Sequence, residues 1–357
     1  MDRWHFIDFD HVLVVPDARR YSTRIKDRWV ARIIDETVAL EAAAALLVGG
    51  GIAAIPTETV YGLAADASNG RAVARIFEAK GRPRFNPLIA HVADMAMAER
   101  LAVFDPVSMV LAQAFWPGPL TLVLRRRPAA PVHDLVTAGL DTIALRMPRG
   151  FGNRLIARLG RPLAAPSANS SGRISATTAE AVQADLGERI DLIVDGGPTP
   201  VGVESTIVKA EGGRIVLLRP GGVPVEDMER GAGMLVVRDK ANGQGVQAPG
   251  QLASHYAPRA HVRLNVSDVR AGEALLAFGE GRAANAEGAV AMLNLSQSGD
   301  LREAAANLFA FMHRLDESRA QTIAVEPVPD RGLGEAINDR LRRAAAPRDV
   351  PVLNEGV

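Results

Sequence analysis

Three separated segments of the chain combine cations, hydroxyls and amides in a pattern that suits phosphate binding. They are PTETVYG at 56–62, KGRPRFNPL at 80–88 and PSANSSG at 166–172. Lys80 and Arg82 follow an apolar-periodic helix, and neighbouring prolines restrict the backbone so that the two cations cannot continue along a solvated helical face. Together the segments indicate an anion-binding site assembled from distant parts of the chain.

Each of these residues also has an ordinary structural interpretation. Lys80 and Arg82 could be solvated cations that complement the dipole of a helix C-terminus. Ser167 and Asn169 could bond to the backbone of a turn where a strand ends, and His91 could be a satisfied core residue. For each residue alone the structural interpretation is favoured, so the argument for a ligand site depends on the combination.

Two further arginines stand where apolar strand patterns end. Arg146 follows IAL at 143–145, Arg219 follows IVLL at 215–218, and a proline comes within two residues of each. A strand that delivers a cation to its carboxyl end matches the place of ligand sites in α/β sheets. Both arginines are therefore candidate ligand contacts.

Several catalytic classes lack their characteristic residues in this sequence. There is no cysteine, which removes thiolate nucleophiles, disulfides and cysteine-ligated metals. The sequence has neither a P-loop nor a nucleophile elbow, and its seven histidines form no helical pair at metal-ligand spacing. We expect polar binding chemistry and no metal site built by the protein.

Charge and hydropathy favour a cytoplasmic protein. The 357 residues include 41 basic and 41 acidic side chains, so contact with nucleic acid would need a local patch. The N-terminus lacks the basic start and the uninterrupted apolar run of a signal peptide. The apolar run over 42–55 is too short to span a bilayer. We expect no membrane contact.

Helix and strand patterns alternate along the chain and predict an α/β fold. A helical pattern covers 35–48, with Asp35 as candidate N-cap, and a short buried strand follows at 52–55. Two apolar runs flank EGG at 211–213, which predicts a hairpin and hence a mixed sheet.

Periodicity disappears over 240–258, which marks a linker, and a second rhythm follows it. There the patterns predict strands at 261–264, 289–293 and 322–325 and helices at 269–278, 301–315 and 335–343. This order indicates a small parallel layer with right-handed crossovers. Chain length also favours two domains.

Taken together and in this order, the motifs closely resemble those of the threonylcarbamoyl-AMP synthase family. They are PTETVYGL at 56–63, KGRP at 80–83, NPL at 86–88, WPGPLT at 116–121, RMP at 146–148, SAN at 167–169, GVESTIV at 202–208 and LRPG at 218–221. PG at 249–250, HYAP at 255–258 and the C-terminal rhythm resemble the long, two-domain branch. The resemblance covers about 36–347.

The resemblance implies a YrdC-like twisted mixed sheet with flanking helices, plus a smaller C-terminal Rossmann-like three-layer α/β domain. We predict an unassigned N-terminal extension at 1–23 and a YrdC-like catalytic domain at 24–238. A linker or lid is predicted at 239–259 and the C-terminal α/β domain at 260–357.

The resemblance also implies an activity, the condensation of L-threonine, bicarbonate and ATP into L-threonylcarbamoyladenylate with release of pyrophosphate. The product would feed a tRNA threonylcarbamoyl transferase that modifies the adenosine beside the anticodon. Such chemistry needs no covalent enzyme intermediate, which agrees with the missing cysteine. Mg²⁺ would arrive with ATP and be held mainly by its triphosphate.

Site residues follow from the same resemblance. The implied threonine contacts are Thr59, His91, Arg146, Ser167 and Ser205. The implied ATP contacts are Arg82, Asn86, Thr142, Asn169, Thr177, Arg219 and Tyr256. Lys80 and Arg82 are the implied catalytic cations. Since Tyr256 lies in the predicted linker, we expect the segment 241–258 to close over the nucleotide.

Two other functions are known for related folds, RNA binding and carbamoyl transfer. An RNA-binding module of the same fold could use the basic cluster at 125–127, and contact with tRNA is open. A pure RNA-binding surface, however, has no use for a separate arginine that clamps a carboxylate. The related carbamoyltransferase of hydrogenase maturation would need cysteines that are absent.

Overall fold

Two sheets organise the part of the chain that the structure describes. The structure is a computed structural model, and it describes residues 22–25, 28–238, 249 and 254–347. The strands of the larger sheet are β1 Ser22–Ile25, β2 Arg28–Asp35, β3 Ala53–Ile55, β4 Gly62–Asp66, β5 Ile89–His91, β6 Ala102–Val103, β7 Leu120–Arg126, β8 Thr142–Arg146, β9 Leu163–Ala164, β10 Leu192–Asp195, β11 Thr206–Glu211, β12 Arg214–Arg219 and β13 Val236–Arg238. Those of the smaller sheet are β14 His261–Arg263, β15 Glu273–Ala277, β16 Met292–Asn294 and β17 Thr322–Val325.

Helices accompany both sheets. The larger sheet is flanked by α1 Leu40–Val48, α2 Gly70–Lys80, α3 Met95–Leu101, α4 Pro106–Phe115, α5 Asp134–Thr137, α6 Phe151–Leu159, α7 Ala179–Leu186 and α8 Val225–Ala232. The smaller sheet is accompanied by α9 Leu301–Glu317 and α10 Leu333–Ala345. The α/β class expected from the sequence is confirmed.

The larger sheet is mixed, as the hairpin signal predicted. Its order is β1-β2-β10-β3-β4-β9-β5-β8-β7-β11-β12-β13, with β6 paired to β7. Strands β5 and β8 are parallel, whereas β7 runs antiparallel to β8. Strands β11 and β12 form the predicted antiparallel hairpin around Gly212 and Gly213. As a result, the ends of β5, β8 and β12 meet the starts of β7 and β11 at one edge.

The register of these five strands places one residue from each in a row across that edge. His91 in β5 is paired with Arg146 in β8, and Arg146 is paired with Thr121 in β7. Thr121 is paired with Ile207 in β11, which in turn is paired with Arg219 in β12. With adjacent strands 4.7–4.9 Å apart, the row is about 19 Å long. Both strand-end arginines therefore belong to one site.

Apolar side chains form the floor beside this row. One face of the sheet carries a cluster of Ile89, Val123, Ala144, Ile207 and Leu218. Alternate residues of the same strands, such as Leu145, belong to the main core on the other face. This alternation follows from the period of two along a strand, and it directs the side chain of Arg146 to the same face as Ala144.

The smaller sheet is entirely parallel, in the order β14-β17-β15-β16. Ala274 and Leu276 of β15 pack with the apolar faces of α9 and α10. Leu275 and Ala277 face the opposite side, where Val266 and its neighbours in an irregular segment cover the sheet. The predicted parallel layer is confirmed, with helices, sheet and irregular chain as its three layers.

Two predicted helices need correction. The pattern over 269–278 is not helical, because residues 273–277 form β15 and are buried on both faces. A strand covered on both faces gives a continuous apolar run that resembles a buried helix. Asp35 ends β2 and accepts hydrogen bonds from the amide and hydroxyl of Thr37, so it forms a turn, and α1 begins only at Leu40.

One glycine determines how closely the C-terminal domain approaches the catalytic domain. Gly202 precedes β11 and has φ +74°. A Cβ added there would lie 2.2 Å from the carbonyl oxygen of Ala305 and 2.4 Å from the Cα of Ala306, both in α9. Only glycine has both the conformational freedom and the small size for this contact.

Parts of the predicted organisation lie outside the described residues. These include residues 1–21 of the predicted extension and 239–248 and 250–253 of the predicted linker. The predicted closure of 241–258 over a nucleotide therefore stays a prediction, as do the domain boundaries. Among the described residues, no helix is both long and apolar enough to cross a membrane.

Candidate functional site

A small cavity lies beside the row of strand ends. Its volume is about 50 Å³, and its lining consists of Thr59, Val60, Arg82, Ile89, His91, Arg146, Ala165, Pro166, Ser167, Glu204, Ser205, Arg219, Pro249, His255 and Tyr256. All three predicted segments contribute to it, as do both strand-end arginines. A nucleotide is larger than this cavity, so a wall must move to admit one.

Arg146 is held by the first motif, PTETVYG. Its Nη1 donates a hydrogen bond to Oγ1 of Thr59 at 2.8 Å, and its Nη2 lies 2.8 Å from a carboxylate oxygen of Glu58. Its Nε donates to the carbonyl oxygen of Gly118 at 3.3 Å. Oγ1 of Thr59 is also 2.9 Å from Oγ1 of Thr57. These contacts fix the plane of the guanidinium at the end of β8, where it can meet a carboxylate.

His91, which is paired with Arg146 across the sheet, has a buried ring whose nitrogens the described residues leave unsatisfied. It is buried, and neither ring nitrogen has a hydrogen-bond partner among the described residues. Burial, followed by the charge of Arg146, holds the pKa of His91 well below its usual value. The imidazole is therefore neutral, with one donor and one acceptor available. The interpretation of His91 as a satisfied core residue is wrong.

The buried neutral His91 should make stability depend on pH. Its pKa is lowered in the folded state, so below the ordinary value of 6.5 the unfolded chain binds a proton that the folded chain does not. The free energy of unfolding is therefore expected to fall as pH decreases from 6.5. In His91→Asn this slope should be smaller by up to about 1.4 kcal/mol per pH unit.

Urea unfolding at several values between about pH 7 and about pH 5 measures this slope. Val92→Ala is the control, since it removes buried apolar contacts beside His91 without removing a titrating group. It should lower stability equally at every pH. An unchanged slope in His91→Asn would contradict the prediction.

Arg219 and Ser205 form the opposite side of the cavity. Nη2 of Arg219 donates to the carbonyl oxygen of Ser205 at 2.8 Å and to its Oγ at 3.3 Å. Nη1 of Arg219 donates to the carbonyl oxygen of Pro249 at 3.2 Å. Oγ of Ser205 is 2.7 Å from Oγ1 of Thr121. A chain of contacts thus joins the β12 cation to the hydroxyls beside Arg146.

Arg82 shapes the second motif. Its Nη2 donates to Oδ1 of Asn86 at 2.7 Å and to the carbonyl oxygen of Pro87 at 2.8 Å. Burial lowers the pKa of Arg82 to about 10. The interpretation of Lys80 and Arg82 as solvated cations is wrong, because both are buried. For Arg82 the cause is Gly81, whose φ of +60° ends α2 and turns the following chain inward. Lys80 precedes that turn and lies on the buried face of α2 with Val73 and Ile76.

Lys80 connects the second motif to the third. Its ammonium donates hydrogen bonds to the carbonyl oxygens of Ser167 and Asn169. The amide of Ser171 returns a hydrogen bond to the carbonyl of Lys80 at 2.8 Å. Burial, followed by the nearby Arg82, holds the pKa of Lys80 well below its usual value. Lys80 supports the loop behind the cavity and does not line it, and its predicted catalytic role stays a prediction.

Tyr256 closes one side of the cavity from the predicted linker. Its backbone has φ +62°, a conformation that is rare for an aromatic residue. The ring is stacked on Phe309 of α9 at 5.6 Å between centroids and lies 5.1 Å from the guanidinium carbon of Arg340 of α10. The predicted linker tyrosine therefore contacts both the cavity and the C-terminal domain.

Two predicted contacts lie away from this cavity. Thr142 starts β8, so it lies about 13 Å along the strand from Arg146, although on the same face. Thr177 lines a larger cavity of about 580 Å³ between the two domains, together with Arg173 and His313. Asn169 lies between, and its Nδ2 donates to the carbonyl oxygen of Arg173 at 2.9 Å.

Sequence reasoning missed the acidic members of the site. Glu58 pairs with Arg146, and Glu204 lies 2.8 Å from Nε of Arg340. Each stands between small polar or apolar neighbours in a motif, TET at 57–59 and VES at 203–205. A charged residue in such a buried segment is a signal for an ion pair.

The basic cluster at 125–127 is largely engaged in the fold. Arg126 lies 2.6 Å from the carboxylate of Asp134, and Nε of Arg127 donates to the carbonyl oxygen of Glu99 at 2.6 Å. Arg125 remains exposed. Arg127 is exposed as well, so two of the three cations face solvent. Arg126 and Arg127 are nevertheless both held by contacts within the fold, which does not favour a dedicated RNA surface.

Comparison with known proteins covers nearly the whole chain. A family model described as "Telomere recombination" matches residues 45–221, and one described as "Threonylcarbamoyl-AMP synthase, C-terminal domain" matches residues 223–346. A threonylcarbamoyl-AMP synthase from Pyrococcus abyssi is 42% identical over 330 residues, which are 87% of this chain and 95% of the relative. Another from Bacillus subtilis is 40% identical over 340 residues, 90% of this chain and 98% of the relative.

A solved structure supports the same relationship. The crystal structure of Pyrococcus abyssi Sua5 complexed with L-threonine matches with a TM-score of 0.78 and 39% identity. The match covers 87% of this chain and 95% of that chain.

Proposed function

This chain belongs to the threonylcarbamoyl-AMP synthase family, and from that premise we propose that its cavity holds L-threonine and ATP side by side for their condensation with bicarbonate. The chain is an enzyme that forms L-threonylcarbamoyladenylate for tRNA modification. The observation that carries the proposed site is the row across five strands, which ends in His91 and Arg146 on one side and Arg219 on the other.

The His91 side is proposed to bind threonine. Arg146 offers a fixed guanidinium for the carboxylate, and Thr59 and Ser205 offer hydroxyls. The neutral ring of His91 can accept from or donate to the substrate without adding charge. A relative's crystal structure with L-threonine supports this choice of amino acid. Ser167 lies in the lining of the same cavity.

The Arg219 side is proposed to bind the triphosphate. Arg82 and Arg219 are buried cations beside the cavity, and Asn86 has a buried amide nitrogen without a partner among the described residues. Asn169 leads from here toward the larger cavity where Thr177 lies, and this cavity has room for a nucleoside. We infer that the phosphates lie at the small cavity and the nucleoside extends away from it.

The reaction needs positioning more than a nucleophile from the protein. The amine of threonine and bicarbonate give a carbamate and water, and an oxygen of the carbamate then attacks the α-phosphorus while the bond to pyrophosphate breaks. Negative charge grows on the phosphate oxygens and the leaving group, and fixed cations stabilise it. The product is proposed to pass to a tRNA threonylcarbamoyl transferase in the cytoplasm.

Mg²⁺ is proposed to enter with ATP. Among the described residues, no three His, Asp or Glu side chains are grouped as a metal site. The two carboxylates near the cavity, Glu58 and Glu204, are each paired with an arginine. Since both carboxylates are already paired, the site fits an ion that is held mainly by the triphosphate. Mg²⁺ bound in this way would neutralise phosphate oxygens.

Measurement of pyrophosphate release from ATP tests the proposal. Release is expected only when bicarbonate and the amino acid substrate are both present. L-serine should support less release than L-threonine, because it lacks one methyl group. Mass spectrometry should detect threonylcarbamoyl-AMP as the product. Equal release without threonine would refute the proposal, and binding of RNA without any such release would favour the RNA-binding alternative.

A further inference from the structure

A buried arginine of the C-terminal domain reaches into the catalytic domain. Arg340 of α10 is fully buried, and its Nε lies 2.8 Å from a carboxylate oxygen of Glu204. Its Nη1 donates to the carbonyl oxygen of Pro220 at 2.8 Å and to Asp339 at 2.7 Å. Nη2 has no hydrogen-bond partner among the described residues. An interface serving stability alone would be at least as well served by apolar side chains, so this charge needs a further reason.

The partner carboxylate belongs to the cavity wall. Glu204 precedes Ser205 and lines the cavity, and its other oxygen accepts a hydrogen bond from Oγ of Ser175 at 2.6 Å. Burial raises the pKa of Glu204, but Arg340 and then Arg219 outweigh burial and lower it to about 2. Glu204 is therefore ionised, beside the place proposed for anionic phosphates. An unpaired carboxylate there would repel ATP and compete with it for Arg219.

Arg340 also contacts a second residue of the cavity wall, Tyr256. Its guanidinium carbon lies 5.1 Å from the ring centroid of Tyr256, and the same ring stacks on Phe309. The ring is thereby held between two helices of the C-terminal domain while it lines the cavity. One side chain thus fixes both a carboxylate and an aromatic wall.

We propose that Arg340 is a positioning residue for the reaction, supplied by the C-terminal domain. Its ion pair neutralises the carboxylate of Glu204, so that Glu204 neither repels ATP nor competes with it for Arg219. Its contact with Tyr256 holds that ring in the cavity wall. This inference rests on the proposed function. It assigns the C-terminal domain a part in substrate binding that acts through Glu204 and Tyr256, since none of the described side chains of 260–347 lines the cavity.

The inference predicts a pH effect that a purely structural role would not produce. The charged or titratable groups that face Glu204 are Arg340 from α10, Arg219 from β12, Lys80 from α2, and His255 and Tyr256 from the linker. Without Arg340, the largest of the charges that lower the pKa of Glu204 is gone while burial still raises it, so the pKa of Glu204 rises. ATP binding in such a variant should weaken as pH increases, because Glu204 then ionises without its partner.

The experiment compares four variants with wild type in the full chain. Arg340→Met removes the charge but keeps the length and a sulfur contact with the tyrosine ring. Arg340→Lys keeps a charge that cannot reach all three oxygen partners. Arg340→Met combined with Glu204→Gln removes both charges, and Arg342→Met, on the exposed face of the same helix, is the matched control. The readout is kcat/KM for ATP in pyrophosphate release from about pH 6 to about pH 9.

Arg340→Met is expected to lower kcat/KM on the order of 100-fold relative to Arg342→Met, with a ratio to wild type that falls as pH rises. The double variant should recover at least about tenfold of that loss and lose the pH trend, since neither charge is then left alone. The kcat/KM of Arg340→Lys should lie between those of wild type and Arg340→Met. Its ratio to wild type should also fall as pH rises, because a lysine pairs with Glu204 less completely than the arginine does.

Three outcomes would overturn the inference. They are a match between Arg340→Met and Arg342→Met, a double variant as impaired as the single one, and a flat ratio across pH. If Arg340→Met does not fold, the pH trend of Arg340→Lys decides by the same criterion. Failure of the proposed function would appear separately, as a wild-type protein that releases no threonine-dependent pyrophosphate.

Discussion

Arg146→Met is expected to lower threonine-dependent pyrophosphate release by about 10³-fold. Arg146 ends β8 between Thr59 and Glu58, and its guanidinium is the fixed cation on the His91 side of the cavity. A methionine there cannot pair with the carboxylate of threonine, so the amine would no longer be aligned with the α-phosphorus. The effect should appear as a raised KM for threonine together with a lowered kcat.

The same change leaves Glu58, whose side chain is 9% exposed, without its arginine and with only the amide of Arg149 as a remaining donor among the described residues, which should cost about 1–3 kcal/mol in the free energy of unfolding. Arg146→Met combined with Glu58→Gln separates the two effects. The double variant should regain most of the stability, measured by urea unfolding, but none of the activity. Recovery of activity in the double variant would show that Arg146 acts only by neutralising Glu58, and the threonine site would have to be placed elsewhere.

Arg219→Met is expected to raise KM for ATP by about 100-fold. Arg219 is buried at the end of β12 and lies between the backbone of Ser205 and that of Pro249. It is the cation on the triphosphate side of the row, so its loss should weaken ATP binding more than threonine binding. Threonine affinity, measured by calorimetry without ATP, should change less than tenfold.

The control for this prediction is Arg214→Met. Arg214 begins the same strand and is exposed, so the change removes an equal charge about 17 Å away along β12. Its kinetics should match wild type. A similar rise in KM for both variants would mean that general charge, and not the strand-end position, determines ATP affinity.

Much of the site could be predicted from the motifs, but its shape could not. The strand patterns before Arg146 and Arg219 placed both cations at strand ends, where the structure has them. That His91, Arg146 and Arg219 form one row depends on register between strands that are far apart in sequence, and single-strand periodicity carries no such information.

The ion pairs of Glu58 and Glu204 could not be predicted from the sequence either. The neighbours of Glu58 in sequence do not reveal Arg146 as its partner, and Arg340 lies more than a hundred positions from Glu204. Spacing alone also favoured solvated cations in the second motif, for a related reason. A helix end is exposed by default, whereas here the left-handed turn at Gly81 brings Arg82 into the interior and Lys80 lies on the buried face of α2.

Gly202 has a consequence for mutational tolerance. Since a Cβ there would lie 2.2 Å from the carbonyl of Ala305, even alanine requires the two domains to separate locally. A missense change at this codon would therefore disrupt the domain interface without replacing any residue proposed to contact a ligand. Glu204 lies two residues after Gly202, and separation of the domains would remove its partner Arg340. A family member without the second domain would therefore need a different residue at position 204 or a cation from another part of the protein.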